Sequence, residues 1–353
     1  MIIPPGSTIG IIGGGQLGRM LSIAAAQLGY RCHIFDPHEH PPAADVAARV
    51  TRAAFDDVDA IRRFGAEVDV ATYEFENLSV EPLCALGRKL RPGARSLAIA
   101  QDRATEKEFI ERCGARVASW RTVASLDDVG AALVELGAPL VLKTRRYGYD
   151  GKGQAWIRSA KDAANAWQAI GEEPAVAEAG VDFSAEFSVI VARWEDGRNA
   201  FWDSPENEHR EGILHRSIVP CSEVVAPQIA QGREAALRIA EALDHVGVLA
   251  VEFFASADGP LVNEIAPRVH NSGHWTIEGA VTSQFEQHIR AICGLPPGVI
   301  GLTRGGAIME NLIGDDVERW PELVAERGAH VHIYGKGEAR PGRKMGHVTR
   351  VKR

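Results

Sequence analysis

The sequence predicts an α/β protein of two or three domains that opens with a parallel sheet. Three observations carry this. The chain has 353 residues, more than a single hydrophobic core usually serves. Apolar runs of strand character alternate with helical stretches from the start, as in strand–helix–strand crossovers. Glycine-rich turns stand where a strand passes into a helix or into another strand.

Residues 8–12 read as a buried strand, followed by the turn Gly13-x-Gly15-x-x-Gly18 and a helix from Gln16 to Leu28 that Gly29 closes. "YRCHIF" is the next strand, and "VDVATYEF" another after a helical stretch around 57–65. Residues 1–100 are thus expected to form a Rossmann-like domain. Its glycine turn would expose backbone N–H groups at a helix N-terminus, where an anion is favoured. Asp36 follows at about the twenty-residue offset of a dinucleotide fingerprint. The motif admits NAD, and it equally admits close helix–strand packing with no ligand. No dehydrogenase acid/base pair accompanies it.

The second region, 101–185, starts with the helix "DRATEKEFIERCG", with Asp102 as N-cap and Gly114 as its close. "PLVLKT" and "QAWIRS" read as strands joined by "RRYGYDGKG". Lys143 ends the first strand, and the loop holds Gly148, Gly151, Gly153 and three basic residues. Such a loop suits a lid over a triphosphate or an ordinary hairpin tip. "PAVAEAGVDFSAEFSVIVAR" reads as a strand, a short linker and a longer strand. In the third region, 186–353, "VGVLAVEFF" and "PLVNEIA" flank "ASADG", helices lie near 226–244 and 278–293, and a basic tail follows.

Chemistry concentrates at that hairpin. A three-residue loop of Ala257, Asp258 and Gly259 places Glu252 opposite Glu264; a two-residue loop would put Glu264 beside Phe253 instead. Opposed like charges destabilise a sheet, so the first register calls for a cation, and oxygen-ligated Mg²⁺ fits. Arg268 can bind a planar anion in two-pronged fashion, and His270 can donate a hydrogen bond or move a proton. Together with Asn271 they point to phosphoryl transfer.

Composition excludes other classes. Hydrophobic residues are 45% and charged residues 24%, as in ordinary soluble globular chains. The formal charge is −8, from 39 Lys and Arg against 47 Asp and Glu, which argues against a nucleic-acid binder. Five cysteines with no C-x-x-C indicate reduced thiols and a cytoplasmic setting. The start lacks the basic flank of a signal peptide, and no apolar run reaches the roughly 18 residues of a membrane span.

The run of "GGGQLGRM", "QDRATEK", "KTRRYGYDGKGQ", "EAGVDFSAEFSVI", "SPENEHREGIL", "VEFF", "VNEIAPRVHNSGHWT" and "YGKGEARPGRKMGHV" resembles the ATP-grasp family of 5-(carboxyamino)imidazole ribonucleotide synthases over nearly the whole chain. The resemblance implies an ATP-grasp fold preceded by a Rossmann-like (pre-ATP-grasp) parallel-sheet domain that binds no NAD. It implies a ligase that joins bicarbonate to 5-aminoimidazole ribonucleotide with ATP and Mg²⁺, and a homodimer. On this sequence, Arg103, Lys143 and Lys152 would hold ATP phosphates, Glu178, Ala179 and Val181 the adenine, and Glu186 the ribose. Glu252 and Glu264 would bind Mg²⁺ with Asn263 beside them, and Arg268 and His270 would hold bicarbonate and carboxyphosphate. Gln16, Leu17, Glu76, Tyr149, Asp150 and Asn271 would face the ribonucleotide, with its phosphate against Lys336, Arg343 and Lys344. Glu74 and Glu76 alternate on a strand and would face opposite ways; Glu76 is the one assigned. A formate-using purine enzyme or an amino-acid ligase of the same superfamily, an NAD-dependent dehydrogenase and a catalytically silent nucleotide sensor are the competing readings.

Overall fold

A computed structural model describes residues 2–148 and 152–352. The first sheet is four parallel strands, β1 (Thr8–Ile12), β2 (Arg31–Phe35), β3 (Arg49–Thr51) and β4 (Val70–Tyr73), in the order β3-β2-β1-β4. β1 and β4 are buried along almost their full length, as expected of strands covered on both faces. Helix α1 (Gln16–Gln27) leaves the glycine turn directly after β1.

The second sheet is antiparallel and also four-stranded: β5 (Trp120–Val123), β6 (Leu140–Thr144), β7 (Gln154–Ile157) and β8 (Ala175–Ala179), in the order β5-β8-β6-β7. The third sheet has nine strands: β9 (Ala185–Arg193), β10 (Asn199–Phe201), β11 (Glu206–Arg210), β12 (Ile213–Val219), β13 (Gly247–Ser256), β14 (Gly259–Ala266), β15 (Ala307–Ile313), β16 (Ala329–Ile333) and β17 (Lys344–Val351). Its order is β14-β13-β9-β11-β12-β15-β17-β16, with β10 on the far end of β9. The basic segment is therefore no solvated tail. β17 inserts between β15 and β16, and Met345 to Thr349 are buried.

Two further expectations change. The helix expected over 278–293 is two pieces, Thr276–Gly279 and Gln284–Ile292. Ser283 caps the second piece by accepting from the Glu286 N–H at 3.1 Å. β4 stops at Tyr73, so Glu74 and Glu76 lie beyond the strand and the alternation argument does not reach them.

The first and third sheets share one core. Ile9, Ile11, Leu17 and Leu21 pack with Ile190, Trp194, Trp275, Phe285 and Ile289. Two neutral histidines pin the seam. His288 Nδ1 accepts from the Val248 N–H at 3.0 Å, so its Nε2–H donates to Thr72 Oγ1 on β4 at 2.8 Å. His245 Nε2 donates to the Val248 carbonyl at 3.0 Å, leaving Nδ1 to accept from Ser96 at 3.1 Å. Burial pushes His245 down to about 4 and His288 to about 3, from an ordinary value of 6.5. The unfolded chain then takes up protons first. Each histidine's contribution to stability is complete above pH 6.5 and is lost as pH falls towards those lower values, by up to about 1.4 kcal/mol per pH unit. Against His288→Gln, wild type should therefore lose thermal stability faster between pH 6.5 and 4.5. Parallel melting-temperature profiles would show that His288 is not held neutral.

Candidate active site

The three sheets enclose a cleft of about 1070 Å³. Gln16, Leu17, Glu76, Arg103, Lys143, Lys152, Glu178, Ala179, Val181, Glu186, Glu252, Asn263, Glu264, Arg268, His270, Asn271, Lys336, Arg343 and Lys344 all line it. Residues far apart in sequence, on seven or more strands and loops, thus meet in one place. Tyr149 and Asp150 lie outside the described residues.

The glycine turn is already occupied by the chain itself. Glu74 accepts from the N–H groups of Gly15 and, at 2.7 Å, of Gly18, while Asp36 accepts from Gly14 at 2.7 Å. A side chain at Gly15 would bring its Cβ within 2.5 Å of the Glu74 carboxylate, so this glycine serves an internal acid. The position a dinucleotide pyrophosphate would need at the start of α1 is filled, and the acid that would hold its ribose caps the same turn. The geometry removes the NAD reading. Glu74 and Glu76 both line the cleft rather than facing opposite ways.

On the side of the second sheet, a buried charge cluster forms around Glu178. Its two carboxylate oxygens meet Lys107 Nζ at 3.1 Å and Lys143 Nζ at 3.0 Å. Burial alone would raise its pKa, but Lys143, Lys107 and Arg103 outweigh burial and hold it at about 2. Lys143 is pushed below its usual range, first by burial and then by the neighbouring cations Lys107 and Arg103. Arg103 follows the N-cap Asp102, which accepts from the Ala104 and Thr105 N–H groups and from Arg145 at 2.9 Å. That cap aims Arg103 across the cleft to Glu264 at 3.1 Å.

The hairpin of β13 and β14 carries the two acids by an unexpected route. Its turn has two residues, Ala257 and Asp258, with Ser256 opposite Gly259 and Phe253 opposite Val262. A β-bulge at Asn263 then absorbs one residue, and Glu252 comes to face Glu264 after all. The bulge residue Asn263 accepts from Lys143 at 3.2 Å. Burial, then the charge of Glu264, pushes Glu252 up. For Glu264 burial is outweighed by Arg103 and Lys143, which hold it down. Among the described residues, no group of three or more His, Cys, Asp or Glu side chains could hold a metal by itself. Two carboxylates facing a cleft rich in cations fit a hard cation that takes its remaining oxygens from a bound phosphate chain.

Beyond β14, Arg268 grips Glu76 through Nε at 2.5 Å and Nη2 at 2.9 Å. His270 Nδ1 accepts from the Ser272 N–H at 3.3 Å, so its Nε2–H points to Glu252 Oε1 at 3.1 Å. Burial, then Arg268, pushes His270 well below its usual value, which leaves it a neutral donor. Glu186 meets His209 at 3.1 Å. Lys336, Arg340, Arg343 and Lys344 add a basic wall to the same cleft.

Sequence reasoning missed Lys107, Glu106 and His209. Glu106 is buried and accepts from the Ile265 N–H at 2.7 Å, tying the helix to β14. Arg103, Glu106 and Lys107 lie three and four residues apart, one helix face, which was the available signal. His209 sits in "ENEHR", a polar strand with no apolar alternation to mark it.

Residues 6–101 match the ribonucleotide synthetase preATP-grasp domain, 108–285 the ATP-grasp domain, and 307–353 the phosphoribosylaminoimidazole carboxylase C-terminal domain. The N5-carboxyaminoimidazole ribonucleotide synthase of Brucella melitensis biotype 1 is 50% identical, covering 99% of this chain and 98% of that one. N5-carboxyaminoimidazole synthetase from Staphylococcus aureus, complexed with ADP, superposes with a TM-score of 0.95 at 39% identity, over 99% of this chain and 94% of that one. The Aspergillus clavatus N5-carboxyaminoimidazole synthase, in complex with ADP and 5-aminoimidazole ribonucleotide, gives 0.92 at 30% identity, over 98% and 94%.

Proposed function

The chain belongs to the family of N5-carboxyaminoimidazole ribonucleotide synthases, ATP-grasp ligases of purine biosynthesis, and we propose that it carboxylates 5-aminoimidazole ribonucleotide with bicarbonate by way of carboxyphosphate. The observation that carries this reading is the facing pair Glu252 and Glu264, set between the cations Arg103 and Lys143 and the anion-binding Arg268 and His270.

Bicarbonate is a poor electrophile. Attack of one of its oxygens on the γ-phosphorus of ATP releases ADP and gives carboxyphosphate, whose carbon now carries a good leaving group. The exocyclic amine of the ribonucleotide attacks that carbon, or the CO₂ that carboxyphosphate releases in place; the C–N bond forms, the amine gives up a proton, and phosphate leaves. Arg103, Lys143 and Lys152 are suited to the phosphates of ATP, with Glu178 holding Lys143 in place. The adenine would lie along Glu178, Ala179 and Val181, and the ribose at Glu186. Arg268, oriented by Glu76, and the neutral donor His270 are suited to holding the one-carbon anion and its phosphorylated form. Glu252 and Glu264 would hold Mg²⁺, which when bound neutralises phosphate charge. Gln16, Leu17 and Asn271 would face the aminoimidazole, and the basic wall its 5′-phosphate. Carboxyphosphate hydrolyses in water, which gives the loop around Lys152 its role as a lid.

We assign three units, at 1–100, 101–185 and 186–353. All five cysteines are free, and no helix among the described residues is long and apolar enough to cross a membrane. Both suit the cytoplasm. The homodimer rests on the resemblance alone.

The test is ADP release measured with each substrate omitted in turn. Release is expected only when ATP, bicarbonate and the aminoimidazole ribonucleotide are all present, and formate should not replace bicarbonate. Equal release with formate would move the chain to a different ligase reaction.

A further inference from the structure

Beside the cleft lies a largely buried polar cluster of which the chemistry above uses only Asn271. It contains Asn311, Asn271, His274, Tyr334 and His347. Its hydrogen bonds fix one another's direction. Asn311 Nδ2 donates to the Leu214 carbonyl at 2.8 Å, which sets the orientation of its amide. It therefore also donates to Asn271 Oδ1 at 2.7 Å, and Asn271 Nδ2 donates back to Asn311 Oδ1 at 2.9 Å. The same Asn271 nitrogen reaches His274 Nδ1 at 3.0 Å, so that ring nitrogen is an acceptor.

The Tyr334 hydroxyl lies between His274 Nδ1 at 3.2 Å and His347 Nδ1 at 2.8 Å. With His274 accepting, the arrangement that uses both contacts has His347 Nδ1–H donate to the hydroxyl, while the hydroxyl shares the single lone pair of His274 Nδ1 with Asn271 Nδ2. Both histidines are pushed well below their usual range, chiefly by burial, and stay neutral, as this chain requires. Its cost is visible. His274 Nε2 and His347 Nε2 are buried with no hydrogen-bond partner among the described residues.

The two ends of this chain reach the cleft. Asn271 lines it directly. Lys336, two residues past Tyr334, also lines it and lies with its ammonium 5.6 Å from the centre of the Tyr334 ring. The chain also joins parts distant in sequence. Asn271 and His274 belong to the ATP-grasp segment, while Tyr334, Lys336 and His347 belong to the C-terminal one.

We propose that Tyr334 is a positioning residue for the ribonucleotide: its hydroxyl, clamped between His274 and His347, fixes Asn271 and Lys336 at one separation, so that the two ends of the ribonucleotide are held in register. This rests on the function proposed above, in which Asn271 and Lys336 face that substrate.

The experiment compares steady-state ADP release by wild type, Tyr334→Phe, His347→Leu and His347→Asn, with each substrate varied in turn. Phenylalanine keeps the ring beneath Lys336 and deletes only the hydroxyl. Asparagine keeps a donor near the place of Nδ1; leucine does not. Tyr334→Phe and His347→Leu should raise KM for the aminoimidazole ribonucleotide about tenfold, the effect of one lost buried hydrogen bond. KM for ATP and kcat should stay within about twofold of wild type, and His347→Asn should lie near wild type. An unchanged KM for the ribonucleotide, or a KM for ATP that moves with it, would overturn the proposal. If Tyr334→Phe does not fold, the contrast between His347→Leu and His347→Asn decides alone. Wild type that releases no ADP with the ribonucleotide would defeat the functional reading instead, before any variant is measured.

Discussion

Glu264→Gln should abolish ribonucleotide-dependent ADP release, a loss of about a thousandfold or more, the scale seen when a preorganised electrostatic contact to a transferring group is removed. Glutamine keeps the shape of the side chain and deletes its charge. Two features make Glu264 the more sensitive acid of the facing pair. It takes Arg103 at 3.1 Å, and its carboxylate is held ionised by Arg103 and Lys143 against the effect of burial. The substitution would remove one of the two anionic ligands proposed for Mg²⁺ and also free Arg103 from its partner. Nucleotide binding measured by calorimetry with and without Mg²⁺ separates the two effects. Metal-dependent binding should be lost, while metal-free ADP should bind as tightly as to wild type or tighter. Full turnover by this variant would end the assignment of the metal site.

The second large effect is on stability. Glu178→Gln should lower the free energy of unfolding by about 3–5 kcal/mol, because it leaves two buried ammonium groups without their shared anion. Lys107 is 1% exposed and Lys143 8%, so neither can turn to water without moving the helix or strand that carries it. Burial disfavours the ionised Glu178, yet the surrounding cations bring its pKa to about 2, below the ordinary 4.5. Its contribution is therefore complete above pH 4.5 and is lost as pH falls towards 2. Denaturant titrations at pH 7 measure the difference, and ADP should restore part of it by supplying phosphate charge to Lys143. A loss below about 1 kcal/mol would mean that the lysines are solvated.

How much of this was legible in the sequence differs by element. The cleft residues carried by short motifs were readable because their chemistry is local: a lysine closing a strand, two acids within apolar strands, an arginine and a histidine directly after. The facing of Glu252 and Glu264 was reached from a three-residue turn, whereas the molecule has a two-residue turn and a bulge at Asn263. The two count the same number of residues, and nothing in the sequence distinguishes them. The purpose of the glycine turn was hidden for another reason. Its anion comes from Glu74, more than fifty residues away, and only the pairing of β1 with β4 brings it there. The break between Thr276 and Ile292 left a signal in Ser283-x-x-Glu286, a helix-start pattern inside the expected helix. β11 left none: it is polar throughout, with His209 lining the cleft and Asn207 buried against Ser188 and Ser217.

The place of β17 has a consequence for synthesis on the ribosome. Among the described residues, β16 pairs with no strand except β17, and without β17 one edge of β15 is open. Arg103, Lys143, Glu252 and Glu264 all precede residues 344–351 in the chain, so they leave the ribosome before the strand that closes the sheet. Lys344 and His347 arrive only with that closing strand, so the last strand of the sheet to be made is the one that joins its two final edges.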